Sequence, residues 1–399
     1  MPFSEQTGIE YHKKRSDVQY KWTKNDTVER MKKEKGGRSA KDLGNVFIWR
    51  GFELLRSKYD SYVVFSPIKY WKVQHLINKG FVDGYLFNRK HFHTSTNAGV
   101  SCILWSNEDR VLDEIELKCF DIVDDKIKED GVLKIHRIHN TYSQKYYRSK
   151  EEDTDKKDGI LCNFDGTETD KQSYKNKPYK IYNDNIIGFM SVESTGFDNP
   201  DLICTLLRCA RYNTKGTILR KSNYLEQLPM FCAGRLIKYN NSYKTRGVMM
   251  KSADGYKRDL PKNYLYKCLI FTCLELQNHI LEFKGSDRRV YKNELSLTEG
   301  TQAVKDLAGY ELDENDKKVM KQWKKLMEEV KKTEEYEEGY HYTPFSITKL
   351  VDTFYKNEDN KTVYNNKEVH TELEQLKRMV KDYYVNDILP TLFEYEYLK

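Results

Sequence analysis

Between residues 43 and 109 the chain carries five structured-looking segments in a row, and their hydrophobic periods change from one to the next. In "DLGNVFIWRGFELLRSKYD", Val46, Phe47, Trp49, Phe52, Leu54 and Leu55 recur close to helical spacing. "SYVVFSPIKYWK" is a β-branched and aromatic run stopped by Pro67, which reads as a buried strand entering a loop. "KVQHLINKG" reads as a short helix ending at Gly80. "FVDGYLFNRKHF" and "AGVSCILWSN" read as two further strands, separated by the polar turn "HTSTN" and close enough to pair as an antiparallel hairpin. An order of helix, strand, helix, strand, strand points to a sheet with helices laid on it.

The rest of the chain is less regular. Residues 1–43 are polar and rich in Lys, and "KKEKGGRSAKDLG" reads as a flexible loop. Residues 110–180 are weakly patterned, with "SKEEDTDKKDGI" as a solvated charge run. From 181 to 300 short strand-like and helical pieces alternate, as in an α+β domain. The tail is clearer. Asp313 stands as an N-cap ahead of Val319, Met320, Trp323, Leu326, Met327 and Val330 on one helical face. Val369, Leu373, Leu376, Val380 and Tyr383 form a second, coiled-coil-like seam, expected to pack within the chain.

Composition narrows the function classes. At 399 residues the chain exceeds one ordinary domain, and 30 Tyr with 17 Phe can build cores despite 32% charged residues. No run approaches the roughly 18 apolar residues of a membrane span, and no apolar leader follows Met1. Eight scattered Cys without C-x-x-C fit reduced thiols, so the expected location is cytoplasmic with no membrane partner. Lys and Arg outnumber Asp and Glu by 19 to 10 over residues 201–310, and the balance reverses to 15 against 20 over 311–399. A basic middle suggests a polyanion partner and an acidic tail a solvated helical appendage.

Several chemistries are missing. No G-x-G and no G-x-x-x-x-G-K-[ST] occurs, so the usual Gly-rich turns for nucleotide or nucleoside cofactors are absent from the sequence. Cys204/Cys209 and Cys268/Cys273 are each five apart, and the pairs His91/His93 and His136/His139 lack a carboxylate or thiolate framework. No metal site is expected. Glu282 and Lys284, flanking Phe283, form the weak Glu-x-Lys element of Mg²⁺-dependent nucleases, with a surface ion pair as the plainer explanation.

Taken in order, "MPFSEQTG", "NVFIWRGFELL", "YVVFSPIKYWK", "VDGYLFNRKHF" and "GVSCILWSN" resemble the catalytic half of the adenine-N6 DNA methyltransferases of restriction–modification systems. That family carries a tetrapeptide, Asn/Asp-Pro-Pro-Phe/Tyr with a variable second position, at the end of its fourth sheet strand. A helix, a fifth strand, a helix and an antiparallel hairpin follow, and a target-recognition domain comes after. "NYLEQLPMFCAG" and "ADGYKRDLPKNYLYKCLIFTCL" resemble the region after the catalytic half in one subgroup.

The resemblance implies an α/β plus α+β architecture: a partial methyltransferase-like Rossmann sheet with an antiparallel hairpin (1–110), a target-recognition, DNA-binding region (111–310) and a helical tail (311–399). It places Pro2 and Phe3 on the last two tetrapeptide positions, with Phe3 stacking a flipped adenine. Met1 takes the variable position, and the Asn falls one residue before it. S-adenosylmethionine is then bound by a missing or separate part, such as a cofactor-binding methyltransferase subunit. Double-stranded DNA is the implied partner. Lys69, Tyr70 and Lys72, with Trp71 between them, follow a strand on the side where doubly wound sheets bind ligands. Asn88, Arg89, Lys90 and His91, and Arg211, Asn213, Lys215, Arg220 and Lys221, mix basic and hydrogen-bonding side chains suited to phosphates and base edges. The remaining alternatives are a non-catalytic DNA-binding specificity subunit and the Mg²⁺-dependent restriction nuclease.

Overall fold

The computed structural model describes residues 25–36, 39–73, 75–92, 97–138, 160–161, 168, 181–192, 204–208, 215–245 and 259–399. The chain divides into two compact units: Met1–His139 with Asn241–Val248, and Asn140–Asn240 with Met249–Lys399.

The first unit begins with two side-chain-capped helices. Asn25 Oδ1 accepts the Thr27 amide at 2.8 Å at the start of α1 (Asp26–Lys35), and Asp42 Oδ1 accepts the Gly44 amide at 2.9 Å at the start of α2 (Leu43–Glu53). Helix α1 runs into the "KKEK" expected as loop. Its cap, together with Val28 and Met31 buried on one face, outweighs its polar composition. Strand β1 (Ser61–Ser66) follows, then α3 (Lys69–Lys72), which lies one turn earlier than the helix expected in "KVQHLINKG". Burial of Tyr70 and Trp71 draws the helix to that turn, and Lys79 and Gly80 already belong to β2 (Lys79–Asn88).

Strands β2, β3 (Gly99–Asp109), β4 (Glu114–Val123) and β5 (Lys126–His136) complete a five-stranded sheet of order β1-β3-β2-β4-β5. The expected antiparallel hairpin is β2–β3, and β3 inserts between β1 and β2. Since β3 is antiparallel to both neighbours, β1 and β2 run parallel. Strand β4 is parallel to β2 and antiparallel to β5. The sheet thus continues beyond residue 110 through β4 and β5. Their signal was present in sequence: Ile115, Leu117 and Cys119 point inward between outward Glu114, Glu116 and Lys118. Asp124 and Asp125, at φ 52° and 57°, close this hairpin with both turn residues left-handed, which matches the strand twist. Val64, Leu86, Ile103, Trp105, Leu117 and Ile135 pack against Ile48, Trp49, Tyr70 and Trp71 from the helices.

Tyr243 returns to this core from far along the chain. Its hydroxyl donates to Asp130 Oδ2 at 3.0 Å, and Lys244 Nζ lies 2.9 Å from the same oxygen. Lys244 first, then the Tyr243 hydroxyl, hold the Asp130 carboxyl below the usual aspartate range against the opposing effect of burial. A carboxyl depressed in the folded state stabilises above its unfolded value, near pH 4, and loses that contribution as pH falls. Protection of the amides of residues 241–245, taken relative to the intrinsic exchange rate at each pH, is therefore expected to be constant from neutral pH down to about pH 4 and to fall below it; a fall that begins well above pH 5 would contradict this anchoring.

In the second unit, β6 (Ile160–Leu161) pairs with β7 (Ile181–Tyr182), and β8 (Ile186–Val192), β9 (Cys204–Leu207) and β10 (Lys215–Arg220) form an antiparallel sheet with β8 central. Helices α4 (Tyr224–Ala233) and α6 (Lys262–Leu274) are largely buried, and the short α5 (Leu236–Tyr239) buries Leu236. After the short β11 (Phe283–Lys284) and β12 (Val290–Tyr291) come α7 (Gln302–Leu307), α8 (Glu314–Val330), α9 (Pro344–Leu350), the hairpin β13 (Phe354–Lys356) and β14 (Thr362–Tyr364), α10 (Lys367–Tyr383) and α11 (Leu389–Glu394). Asp313 caps α8 as expected, in a reciprocal box with Asp316. The two apolar seams read in the tail bury against one another as α8 and α10, and Gln322 Nε2 donates to Glu372 across them at 2.7 Å.

Candidate functional site at the carboxyl ends of β1 and β2

The parallel direction of β1 and β2 decides where the candidate residues go. Both strands release the chain at the same edge of the sheet, so Lys69–Lys72 and Asn88–Phe92 emerge as neighbours. The two exits touch: Phe65 and Phe92 pack edge to face at 5.2 Å, and Ser101 Oγ donates to the Ser66 carbonyl at 2.7 Å. In sheets with parallel strands this edge is where ligands are bound.

Within the first exit the four residues divide sharply. Tyr70, Trp71 and Lys72 are buried. The Lys69 side chain is 36% exposed, and its Nζ lies 3.2 Å from Asp42 Oδ2. The Tyr70 hydroxyl donates toward both Asp42 oxygens at 3.4 Å. Gly44 makes this possible, because a Cβ there would collide with the Tyr70 hydroxyl. Asp42 therefore caps α2, anchors Tyr70 and orients Lys69 at once. Sequence reasoning had passed over it, although an Asp directly ahead of an apolar helical run is a recognisable start signal.

The second exit is a tight turn. Asn88 is buried and accepts the Lys90 amide at 3.1 Å, and the Arg89 amide donates to the Ala98 carbonyl at 2.6 Å. His91 Nε2 sits against the Asp121 carboxylate, an ion-pairing contact whenever the imidazole is protonated. Lys90 is exposed. Of the residues singled out in this unit, Lys69, Arg89 and Lys90 carry the accessible positive charge, while Tyr70, Lys72, Asn88 and His91 hold the edge together.

Pro2, Phe3, His93, His139, Arg211 and Asn213 lie outside the described residues. Lys215 opens β10, at whose end the Arg220 amide donates to Asn223 Oδ1 at 2.8 Å and the Lys221 amide to the Asn185 carbonyl at 3.2 Å; Lys221 is exposed. Glu282 accepts the His341 amide at 2.5 Å, and burial pushes its carboxyl above the usual range, whereas Lys284 points to solvent. Among the described residues no three His, Cys, Asp or Glu side chains gather as a metal site, and no helix is long and apolar enough to cross a membrane.

Fold and site together define a mixed α/β chain with lysines at the carboxyl ends of two parallel strands. No family model, no curated protein and no solved structure matches the chain.

Asp42 offers a direct probe of this edge. Asp42→Ala is expected to lose about 1–2 kcal/mol in denaturant unfolding, since it removes the N-cap of α2. Asp42→Asn, which keeps a capping oxygen but not the charge opposite Lys69, is expected to lose less than half of that. Equal losses would mean that the ion pair, not the cap, supports the edge.

Proposed function

We propose that this chain is the target-presenting part of an adenine-N6 DNA methyltransferase, which binds double-stranded DNA and relies on a separate part for S-adenosylmethionine. The observation that carries the reading is the placement of Lys69, Arg89 and Lys90 just beyond the carboxyl ends of the parallel strands β1 and β2. The order of strand, helix and antiparallel hairpin in this unit agrees with what the resemblance implies. In this reading the lysines contact backbone phosphates, and Phe3 stacks the flipped adenine.

Among the described residues, those at this edge do not fit the nucleoside cofactor. The turns after β1 and β2 contain no glycine, and their space is taken by Tyr70, Trp71 and Phe92. No methyl-transfer step is therefore assigned to side chains of this chain. Its part is to hold DNA and orient the base. The conversion itself requires the sulfonium methyl donor that the completing part would bring.

The test is DNA affinity as a function of salt, followed by fluorescence anisotropy on a labelled duplex. Affinity should fall linearly on a log–log scale, and Lys69→Ala and Lys90→Ala should each reduce the slope by about 0.9. Salt-independent binding, or slopes unchanged in both variants, would remove the DNA-contact assignment. Normal DNA binding with no methylation in the presence of any cofactor-binding partner is the outcome expected of a non-catalytic specificity subunit.

A further inference from the structure

Arg137 differs from the other buried charges described so far. It follows β5 and stands at the amino ends of β2 and β4, away from the end where Lys69 and Lys90 emerge. It is 3% exposed. Nη2 donates to Asn78 Oδ1, while Nε and Nη1 have no hydrogen-bond partner among the described residues. Arg235, equally buried, has the Glu275 carboxylate 3.0 Å away; Arg137 has a neutral amide in that place. Burial pushes its guanidinium below the ordinary arginine range, and the charge of Asp113 offsets only part of this. A buried cation without a counter-charge is strongly destabilising, so a group of this kind calls for a complement.

The surroundings add donors rather than acceptors. The guanidinium carbon lies 5.9 Å from the centre of the Trp71 ring. Trp71 is 2% exposed, and its Nε1 also has no partner among the described residues. The carbonyls at hand already accept other donors: that of Asp113 takes the Arg137 amide at 2.7 Å, that of Lys72 takes the Ile138 amide at 2.9 Å, and that of Ile138 takes His75 Nε2. These bonds hold Arg137 between α3 and the start of β2. Nε, Nη1 and the indole thus offer N–H groups and a positive charge with no oxygen to receive them.

We propose that Arg137 and Trp71 form a site for a compact oxyanion, the phosphate or carboxylate group of a small molecule, held by Nε and Nη1 of the guanidinium and by the indole N–H. Charge-assisted bonds to such a group supply the counter-charge and the acceptors together. A duplex cannot reach a guanidinium buried to this degree, so the ligand is small, and the site does not depend on the proposed DNA contact. The segment between α3 and β2 borders the guanidinium and is neither helix nor strand, with His75 at φ 49°. Local opening of such a segment admits the ligand.

The experiment titrates the full chain with inorganic phosphate and, separately, with acetate, by calorimetry in a low-salt buffer free of other oxyanions. Saturable binding of one ion per chain is expected. Phosphate binding with acetate silent assigns a phosphate group, and the reverse assigns a carboxylate. Arg137→Met should lower the affinity at least about tenfold, the loss that goes with a charge-assisted hydrogen bond. Asn78→Asp, which sets a carboxylate beside the guanidinium, should abolish binding and raise the melting temperature of the unliganded chain. The second variant keeps the test open if the first does not fold. Three outcomes overturn the proposal: no saturable binding of either anion, an affinity unchanged in Arg137→Met, or Asn78→Asp binding the anion as the wild type does.

Discussion

Asp316→Ala is expected to destabilise the second unit by about 3–5 kcal/mol, the range seen when one partner of a buried charge network is removed. Asp316 is fully buried and each of its oxygens has two donors. Oδ1 accepts the Tyr383 hydroxyl at 2.6 Å and Lys267 Nζ at 3.1 Å, and Oδ2 accepts the Tyr310 hydroxyl at 2.7 Å and the Asp313 amide at 3.0 Å. Alanine would strand two hydroxyls and undo half of the capping box of α8. It would also leave Lys267 to Asp313 and Asp387 alone. Burial by itself would lower the Lys267 ammonium; the three carboxylates more than reverse this and hold it above the ordinary lysine range. Urea unfolding followed by far-ultraviolet circular dichroism measures the loss. Because the groups share one network, Asp316→Ala combined with Lys267→Met should cost less than the sum of the single changes. Additive losses, or a loss under 1 kcal/mol for Asp316→Ala, would mean that these contacts do not hold α6 to α8.

Glu275→Ala is expected to be as damaging for a simpler reason. Glu275 and Arg235 are both buried, with Oε1 and Nη2 3.0 Å apart, and the Tyr239 hydroxyl donates to the other carboxylate oxygen. Burial and the neighbouring Glu275 charge push the Tyr239 hydroxyl well above its ordinary range, so it remains a donor at any working pH. Arg235 Nε already has no hydrogen-bond partner among the described residues. Removing the carboxylate leaves a buried guanidinium uncompensated, at a cost of about 3–5 kcal/mol. Replacing both partners, Arg235→Met with Glu275→Leu, should recover most of that, since a buried ion pair contributes little against well-packed apolar residues. If the double change is as unstable as the single one, the pair would be supporting the fold through geometry rather than charge balance.

What could be read in the sequence follows from the range of each interaction. The hairpin β2–β3 and the seams of α8 and α10 rest on local periodicity and were legible. So, in retrospect, was β4, whose inward Ile115, Leu117 and Cys119 alternate strictly with charged residues. The division within "KYWK" was not. A helix of one turn has no period to read, so nothing local separates the half-exposed Lys69 from the buried Lys72. The contact of His91 with Asp121 depends on the parallel pairing of β2 with β4, a long-range choice that no local pattern encodes. The two segments of the candidate edge were thus singled out separately, and neither their meeting beyond parallel strands nor the organisation around Asp42 was legible.

The central claim is that this chain presents adenine for methylation and does not bind the methyl donor. The most direct measurement is transfer of labelled methyl groups from S-adenosylmethionine to a duplex, by the purified chain alone and after addition of a cofactor-binding methyltransferase subunit. The account predicts no transfer by the chain alone and N6-methyladenine in the mixture. Transfer by the isolated chain, or a stable complex that binds DNA and leaves every adenine unmethylated, would contradict it.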